Sequence, residues 1–474
     1  MDEKKRKESQ GTTVHDPINV DDDDDSKDGD NDCSLPDRKK SRLDSDVMQA
    51  PSGSGSLSSR SAKCPIKLMA TQGDMRTRQA HWEENSNRKH WSYSECWTLR
   101  EMLGFDQNPH DDYYSTRESI DWLMISNFIV DFDFLLQELP ELISIPSVVV
   151  VYGHADDPSV MDTWKKQAKS NHTKLDFLCR DPSQPRRSSS NPLEVSIPYG
   201  CHHAKLFLIG YASGRLRVVI HTTNLRHADV HWKCQGAFIQ DFFLKQPHDE
   251  FTTSAFEETL ISYLSTYRYL DRNVWHPTSS DTEPCSLMDQ LCKYDFSTAK
   301  GVLIPSAPGF HSTTTATGMT CGYLAVRKAI NAFVSRGSTS STVGARSGSL
   351  VCQFSSIGSL SEKYLKTLWE AWNVTRSGLP RFELVYPTHQ EIVQSVEGIR
   401  GGGSVPGTCK NVEKPFLQSL WYKWNSSSST STPLNHNMAK GRNVPHIKTY
   451  YQVADEELQG KSMHWFMLGS HNLS

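Results

Sequence analysis

Two short strings in this sequence repeat one set of reactive side chains. The first is His203-Ala204-Lys205 with Thr222-Thr223-Asn224-Leu225, and the second is His446-Ile447-Lys448 with Ser470-His471-Asn472-Leu473. Each runs in the order His, Lys, hydroxyl, Asn, Leu. Two imidazoles, two ammoniums and two carboxamides suit an anionic tetrahedral group, because lysines and amides donate hydrogen bonds to phosphoryl oxygens and neutralise the charge of a transition state. One imidazole can attack phosphorus. The other can protonate the leaving oxygen and then take a proton from water, work matched to a side chain that titrates at about pH 6.5.

Strand geometry supplies a way to hold these groups. Each His-x-Lys opens an apolar strand, on which residues two apart project from the same face. In the first copy, 205–212 and 215–224 flank Ser213-Gly214, which predicts a hairpin with a two-residue turn. That register sets His203 opposite Asn224 and Lys205 opposite Thr222. The second copy, with a longer polar loop around Gln459, sets His446 opposite Asn472 and Lys448 opposite Ser470.

Metal chemistry fits these residues poorly. Neither set contains a carboxylate or thiolate, and each puts an ammonium where it would repel a divalent cation. His227 and His231 have the spacing of a zinc-binding helix, but Ala228 stands where such a motif needs its Glu. The expectation is no metal and no cofactor.

The surrounding elements read as α/β. Leu135-Leu136-Gln137-Glu138-Leu139 predicts a helix ending at Pro140, and Ser147–Tyr152 is a β-branched run suited to a buried strand. Further strands are expected at Lys205–Tyr211, Leu216–His221, Gly301–Ile304, Leu350–Phe354, Phe382–Tyr386, Ile447–Val453 and His464–Gly469, with a helix over Glu362–Asn373. The Ser/Thr/Gly-rich stretches 335–349 and 425–442 read as exposed loops.

At 474 residues the chain has room for a tail and two domains with cores of their own. Residues 1–63 are rich in Asp, Lys, Ser and Gly and poor in aromatics, so a disordered tail is expected there. Its clusters Lys4-Lys5-Arg6-Lys7 and Arg38-Lys39-Lys40-Ser41-Arg42 suit nuclear import signals or plain solvated charge. Ile18-Asn19-Val20 with Asp21 to Asp25 resembles a SUMO-interacting motif, a short apolar strand beside an acidic run.

The net charge of −4 gives no global basic signature, so any nucleic-acid surface must be a local groove. Eleven cysteines, an odd count without a C-x-x-C pair, point to a reducing compartment rather than a disulfide framework. No apolar run approaches the roughly 18 residues of a membrane span, and the first residues lack a signal-peptide core, so a soluble protein that is not secreted is expected.

The paired His-x-Lys…Asn strings resemble the phospholipase D superfamily. Pro198–Lys205, Leu216–Leu225 with His227-Ala228-Asp229, Gln353–Leu360 and Val444–Tyr450 narrow the resemblance to the tyrosyl-DNA phosphodiesterase family, over about Cys64 to Ser474. Gly210 and Val453 stand where the superfamily's phospholipases place Asp, which favours the DNA-end branch.

The resemblance implies two similar phospholipase D-like lobes, 64–300 and 301–474, each a mixed sheet flanked by helices and related by pseudo-twofold symmetry. It implies a monomer that hydrolyses 3′-phosphotyrosyl and other blocked DNA 3′ ends in the nucleus, on single- or double-stranded DNA, and releases a topoisomerase-derived peptide. His203 would be the nucleophile and His446 the general acid and base. Lys205, Asn224, Lys448 and Asn472 would clamp the phosphoryl group. Tyr199 would stack on a base, and Ser356 and Ser359 would touch the DNA backbone.

Because the family continues past the equivalent of Ser474, the second lobe is expected to be incomplete and Asn472 weakly held. The alternatives are another superfamily nuclease or phospholipase, or a truncated protein that binds DNA ends without turnover.

Overall fold

The computed structural model describes residues 64–72, 96–108, 118–171, 174–179, 201–246, 253–267, 286–308, 319–336, 346–374, 378–424, 442–455 and 463–473. The tail 1–63, Tyr199 and the loop 425–441 lie outside the described residues.

Strands β1 (Ile66–Met69), β2 (Cys96–Trp97), β3 (Ile120–Val130), β4 (Ser147–Ala155), β5 (Lys174–Cys179), β6 (Leu206–Tyr211), β7 (Arg215–His221), β8 (Lys233–Cys234), β9 (Gly236–Leu244) and β10 (Tyr294–Asp295) come first along the chain. All but β8 join one sheet in the order β2-β1-β9-β7-β6-β3-β4-β5, with β10 on the end of β9. The sheet is mixed, since β3, β4 and β5 are parallel while β3, β6, β7 and β9 pair antiparallel.

Burial on both faces explains the unbroken valine run of β4. Val148 and Val150 pack with Phe132, Leu135 and Trp164 from the helices Phe132–Glu138 and Val160–Ser170. Val149 and Val151 pack the other way, with Phe256, Leu260 and Leu264 from Ala255–Ser265 and Leu287 from Leu287–Leu291. Each fully buried valine contributes roughly 1.5–3 kcal/mol. Asp131 and Ser254 cap the covering helices by accepting the Phe134 and Glu257 amides.

The later strands are β11 (Arg346–Gln353), β12 (Arg381–Val385), β13 (Trp421–Tyr422), β14 (Val444–Pro445), β15 (Lys448–Asp455) and β16 (Met463–Gly469). Five form a second sheet, β13-β12-β11-β15-β16. Its core joins Leu350, Cys352 and Tyr450 to Val326, Ile330, Leu365 and Trp372 from the helices Gly322–Arg336 and Glu362–Trp372. β14 instead pairs in parallel with β8, Val444 against Lys233 and Pro445 against Cys234, tying the later part of the chain to the earlier.

Two expectations about elements are corrected. Gly301–Ile304 is not a strand; it runs along the wall of a cavity without joining a ladder, its first residue packed against the Phe238 side chain. The stretch 335–349 is not all loop, because Ser349 pairs with both Arg381 and Val453 in β11.

Both hairpin registers also differ from expectation, by one residue and in the same direction. In β6–β7, Leu206 faces Ile220 and the His221 amide donates to the Lys205 carbonyl, so Lys205 opposes His221 rather than Thr222. The turn is the cause: Gly214 adopts φ 80° and donates to the Tyr211 carbonyl, closing a three-residue loop, Ala212-Ser213-Gly214, instead of the expected two. In β15–β16, Lys448 faces Gly469 rather than Ser470. His203, Asn224, His446 and Asn472 all lie beyond the ladders, so their meeting is arranged by loops and not by strand pairing.

Candidate active site

Each lysine is fixed to its own motif. Lys205 Nζ donates to the His203 carbonyl at 3.1 Å, and Lys448 Nζ donates to the His446 carbonyl at 2.6 Å. The side chains are nearly inaccessible, at 2% and 1% exposure. Phe128 supports the first set, its ring 4.8 Å from that of His203 and 5.6 Å from the Lys205 ammonium.

The second histidine is anchored by the first part of the chain. The amides of His446 and Ile447 donate to the Cys234 carbonyl, at 3.0 and 2.8 Å. His446 Nδ1 lies 3.1 Å from the Thr222 carbonyl and beside the Gln235 amide, 3.1 Å from its Nε2 and 3.3 Å from its Oε1. A carbonyl can only accept, so Nδ1 carries the proton and Nε2 keeps the lone pair for proton transfer. Gln235 is itself held, because its Oε1 accepts from Thr222 Oγ1 at 2.6 Å and its Nε2 donates to the Asp229 carbonyl at 3.0 Å. In return, Ser470 Oγ donates to the His203 carbonyl at 3.2 Å.

The two asparagines are oriented differently. Asn472 Oδ1 accepts the backbone amides of Ser355 and Ser356 at 3.2 and 3.0 Å, which leaves its NH2 for a ligand, and Leu473 beyond it is buried. Asn472 is therefore tied down despite its place near the last residue. Asn224 gives one N–H to Asp229 Oδ2 at 2.9 Å. Ser356 meets the site through its backbone, and Ser359 Oγ accepts from Lys414 Nζ at 3.0 Å.

Electrostatics show that the two sets share one space. Burial, then Lys205 and Lys448, hold the His203 imidazole well below its ordinary range. His446 is depressed by burial, by both lysines, by Lys233 and by His203. Lys205 is lowered by burial and by Lys448, and Lys448 is brought down to about 7 by burial. Neutral imidazoles beside two crowded lysines suit an anionic group. An unprotonated His203 has the lone pair a nucleophile needs.

A cavity of about 680 Å³ opens beside His203, Lys205, Ser470 and His471 and runs along 300–308, the helix Gly322–Arg336 and β16. His227 and His231 stand apart from the motifs, each edge-on to the Phe134 ring, with His231 3.4 Å from Glu138. Among the described residues no group of three His, Cys, Asp or Glu is placed to hold a metal ion.

Gln235, Asp229, Lys233 and Lys414 were given no role from sequence, and Asp229 entered only within the string His227-Ala228-Asp229. The signal available for the first three was proximity, since all lie within 13 residues of Thr222. Lys414 carried none, being 55 positions from Ser359.

The family described as tyrosyl-DNA phosphodiesterase matches residues 85–474. Tyrosyl-DNA phosphodiesterase 1 of Arabidopsis thaliana is 31% identical over 364 residues, covering 74% of this chain and 52% of the relative. Its Drosophila melanogaster counterpart is 27% identical over 298 residues, covering 60% and 46%. The chain thus spans about half the length of these two relatives. A crystal structure of the yeast tyrosyl-DNA phosphodiesterase shares the fold, with a TM-score of 0.55 at 17% identity over 86% of this chain and 83% of that one. On the extent of the family match, which takes in most of the chain, the chain belongs to the tyrosyl-DNA phosphodiesterase family.

Proposed function

We propose that this chain is a DNA-repair phosphodiesterase that hydrolyses 3′-phosphotyrosyl and other blocked DNA 3′ ends through a covalent phosphohistidine. The observation that carries the reading is the interlocking of the two half-sites, with Ser470 Oγ donating to the His203 carbonyl at 3.2 Å and His446 Nδ1 lying 3.1 Å from the Thr222 carbonyl, which fits two imidazoles addressing one phosphorus atom.

The chemistry balances without a cofactor. The His203 lone pair forms an N–P bond as the bond from phosphorus to the tyrosine oxygen breaks, and His446 gives its proton to that oxygen. A water then attacks phosphorus while His446 accepts its proton, and the N–P bond breaks to leave a 3′ phosphate. Lys205, Lys448, Asn224 and Asn472 donate to the phosphoryl oxygens throughout. Loading an anion between the two ammoniums raises the His446 pKa from its depressed free value, so substrate binding prepares the acid.

Ser356, Ser359 and the neighbouring Lys414 suit contacts to the DNA backbone, single- or double-stranded, and Tyr199 suits stacking on a base. The leaving group is a topoisomerase-derived peptide. The matched half-sites support two pseudo-symmetric lobes, 64–300 and 301–474, acting as a monomer. The basic tail clusters favour the nucleus, and Ile18–Asp25 favours SUMO as a partner.

The test is an oligonucleotide ending in 3′-phosphotyrosine, incubated in excess EDTA. The wild type should convert it to a 3′ phosphate, His203→Ala should abolish conversion, and His446→Ala should accumulate a protein–DNA adduct that maps to His203. Wild-type protein that leaves the oligonucleotide intact would overturn the activity, and an adduct on another residue would overturn the assigned roles.

A further inference from the structure

Behind Asn224 lies a carboxylate that belongs to neither repeated motif. Asp229, on the helix His227–His231, is buried and takes the Asn224 N–H on Oδ2 at 2.9 Å. Its Oδ1 lies 2.5 Å from Lys233 Nζ, and Lys233 also meets Glu397 Oε1 at 3.0 Å. Lys233 sits on β8, whereas Glu397 directly precedes the 3-10 turn Gly398–Ser404 in the later part of the chain. The Asp229 carbonyl accepts from Gln235, the amide that flanks His446.

Charge in this cluster is unbalanced. Two carboxylates share one ammonium, and desolvated charges cost several kcal/mol each unless compensated. The surplus negative charge has Lys205 and Lys448 as its further cations: Asp229 works against the desolvation of both. The other ionisable groups acting on the two site lysines or on the imidazoles beside them are His202, His203, His221, His446, His471 and Cys201. Of these, His203, His221, His446 and His471 are held neutral by burial.

We propose that Asp229 is a positioning residue of this site: it orients the Asn224 carboxamide and serves as the buried counter-charge shared by Lys205 and Lys448, with Lys233 and Glu397 fixing it from both parts of the chain. The inference deepens the phosphodiesterase reading and rests on it for its kinetic test.

Asp229→Asn keeps an oxygen for Asn224 and leaves Lys233 and Glu397 as a balanced pair, while removing the charge. Without that charge the site lysines lose their protons at lower pH. The alkaline limb of kcat/KM should move down by about one pH unit, roughly a tenfold loss at pH 8. Glu397→Gln, equally buried but touching neither Asn224 nor a site lysine, should move the limb by less.

Binding of inorganic sulfate, whose charge is constant from pH 6 to 9, should weaken with the same shift in Asp229→Asn, measured by calorimetry. An unmoved limb and an unmoved sulfate titration in Asp229→Asn would overturn the proposal, as would an equal shift in Glu397→Gln. A wild type that binds sulfate with an Asp229-dependent pH profile, yet does not cleave phosphotyrosyl DNA, would sink the activity and leave the counter-charge standing.

Discussion

Lys448 is the residue whose chemistry most depends on where the fold has put it. Burial brings its ammonium down to about 7, so it loses its proton within the range where most enzymes work. If the proposed clamp on the phosphoryl oxygen needs the charged form, kcat/KM should fall as pH rises through that value. Lys448→Arg, which stays charged throughout, should lower the maximum but remove this limb; a limb unchanged in the Arg variant would assign the titration elsewhere. Gln235 makes a second prediction. Gln235→Leu strips a polar partner from His446 Nδ1 at a buried position, a loss of about 1–3 kcal/mol, so breakdown of the covalent adduct should slow by roughly 10- to 100-fold. Single-turnover kinetics would read it. The two His-x-Lys sets were legible in the sequence because each packs its chemistry into three residues. Gln235 was not: glutamine announces no chemistry, and the imidazole it flanks lies 211 positions away.

At the level of strands and turns, most of the apolar runs became strands within two or three residues of their expected ends, since a run buried on both faces has few other uses. Register was the part that could not be read. It is set by whether a turn holds two residues or three, and Gly214 at φ 80° satisfies either kind until the Tyr211 carbonyl is seen to accept its amide. The long β3, which pairs with both β4 and β6, was not foreseen, because Asp121, Ser126 and Asn127 interrupt its apolar pattern. Gly348 shows how tightly one such element is built. It sits at φ 55° in the bulge of β11 against β15, where an added Cβ would fall on the Val453 carbonyl. Gly348→Ala should therefore destabilise the fold by more than the roughly 1–2 kcal/mol of a left-handed residue alone. Gly403→Ala, which meets nothing within 4 Å, is the control, and its urea midpoint should shift by the equivalent of less than about 0.5 kcal/mol.

Across the whole molecule, the site exists only where distant parts of the chain join. His446 takes its tautomer from the Thr222 carbonyl, and Asn443 Nδ2 donates to the Trp232 carbonyl at 2.6 Å beside the β8–β14 pair. Fragments 64–300 and 301–474, purified apart, should each fail to cleave 3′-phosphotyrosyl DNA, and mixing them should restore a measurable fraction of the activity. Cleavage by either fragment alone would contradict a site shared in this way. The short tether from each lysine to the carbonyl of its own histidine has one more effect. Lysine carries about 2 kcal/mol of rotamer entropy, and here it is surrendered when the chain folds rather than when a ligand arrives. Two immobilised ammoniums act as a fixed gauge, so tetrahedral oxyanions should seat between them where planar ones such as nitrate rattle.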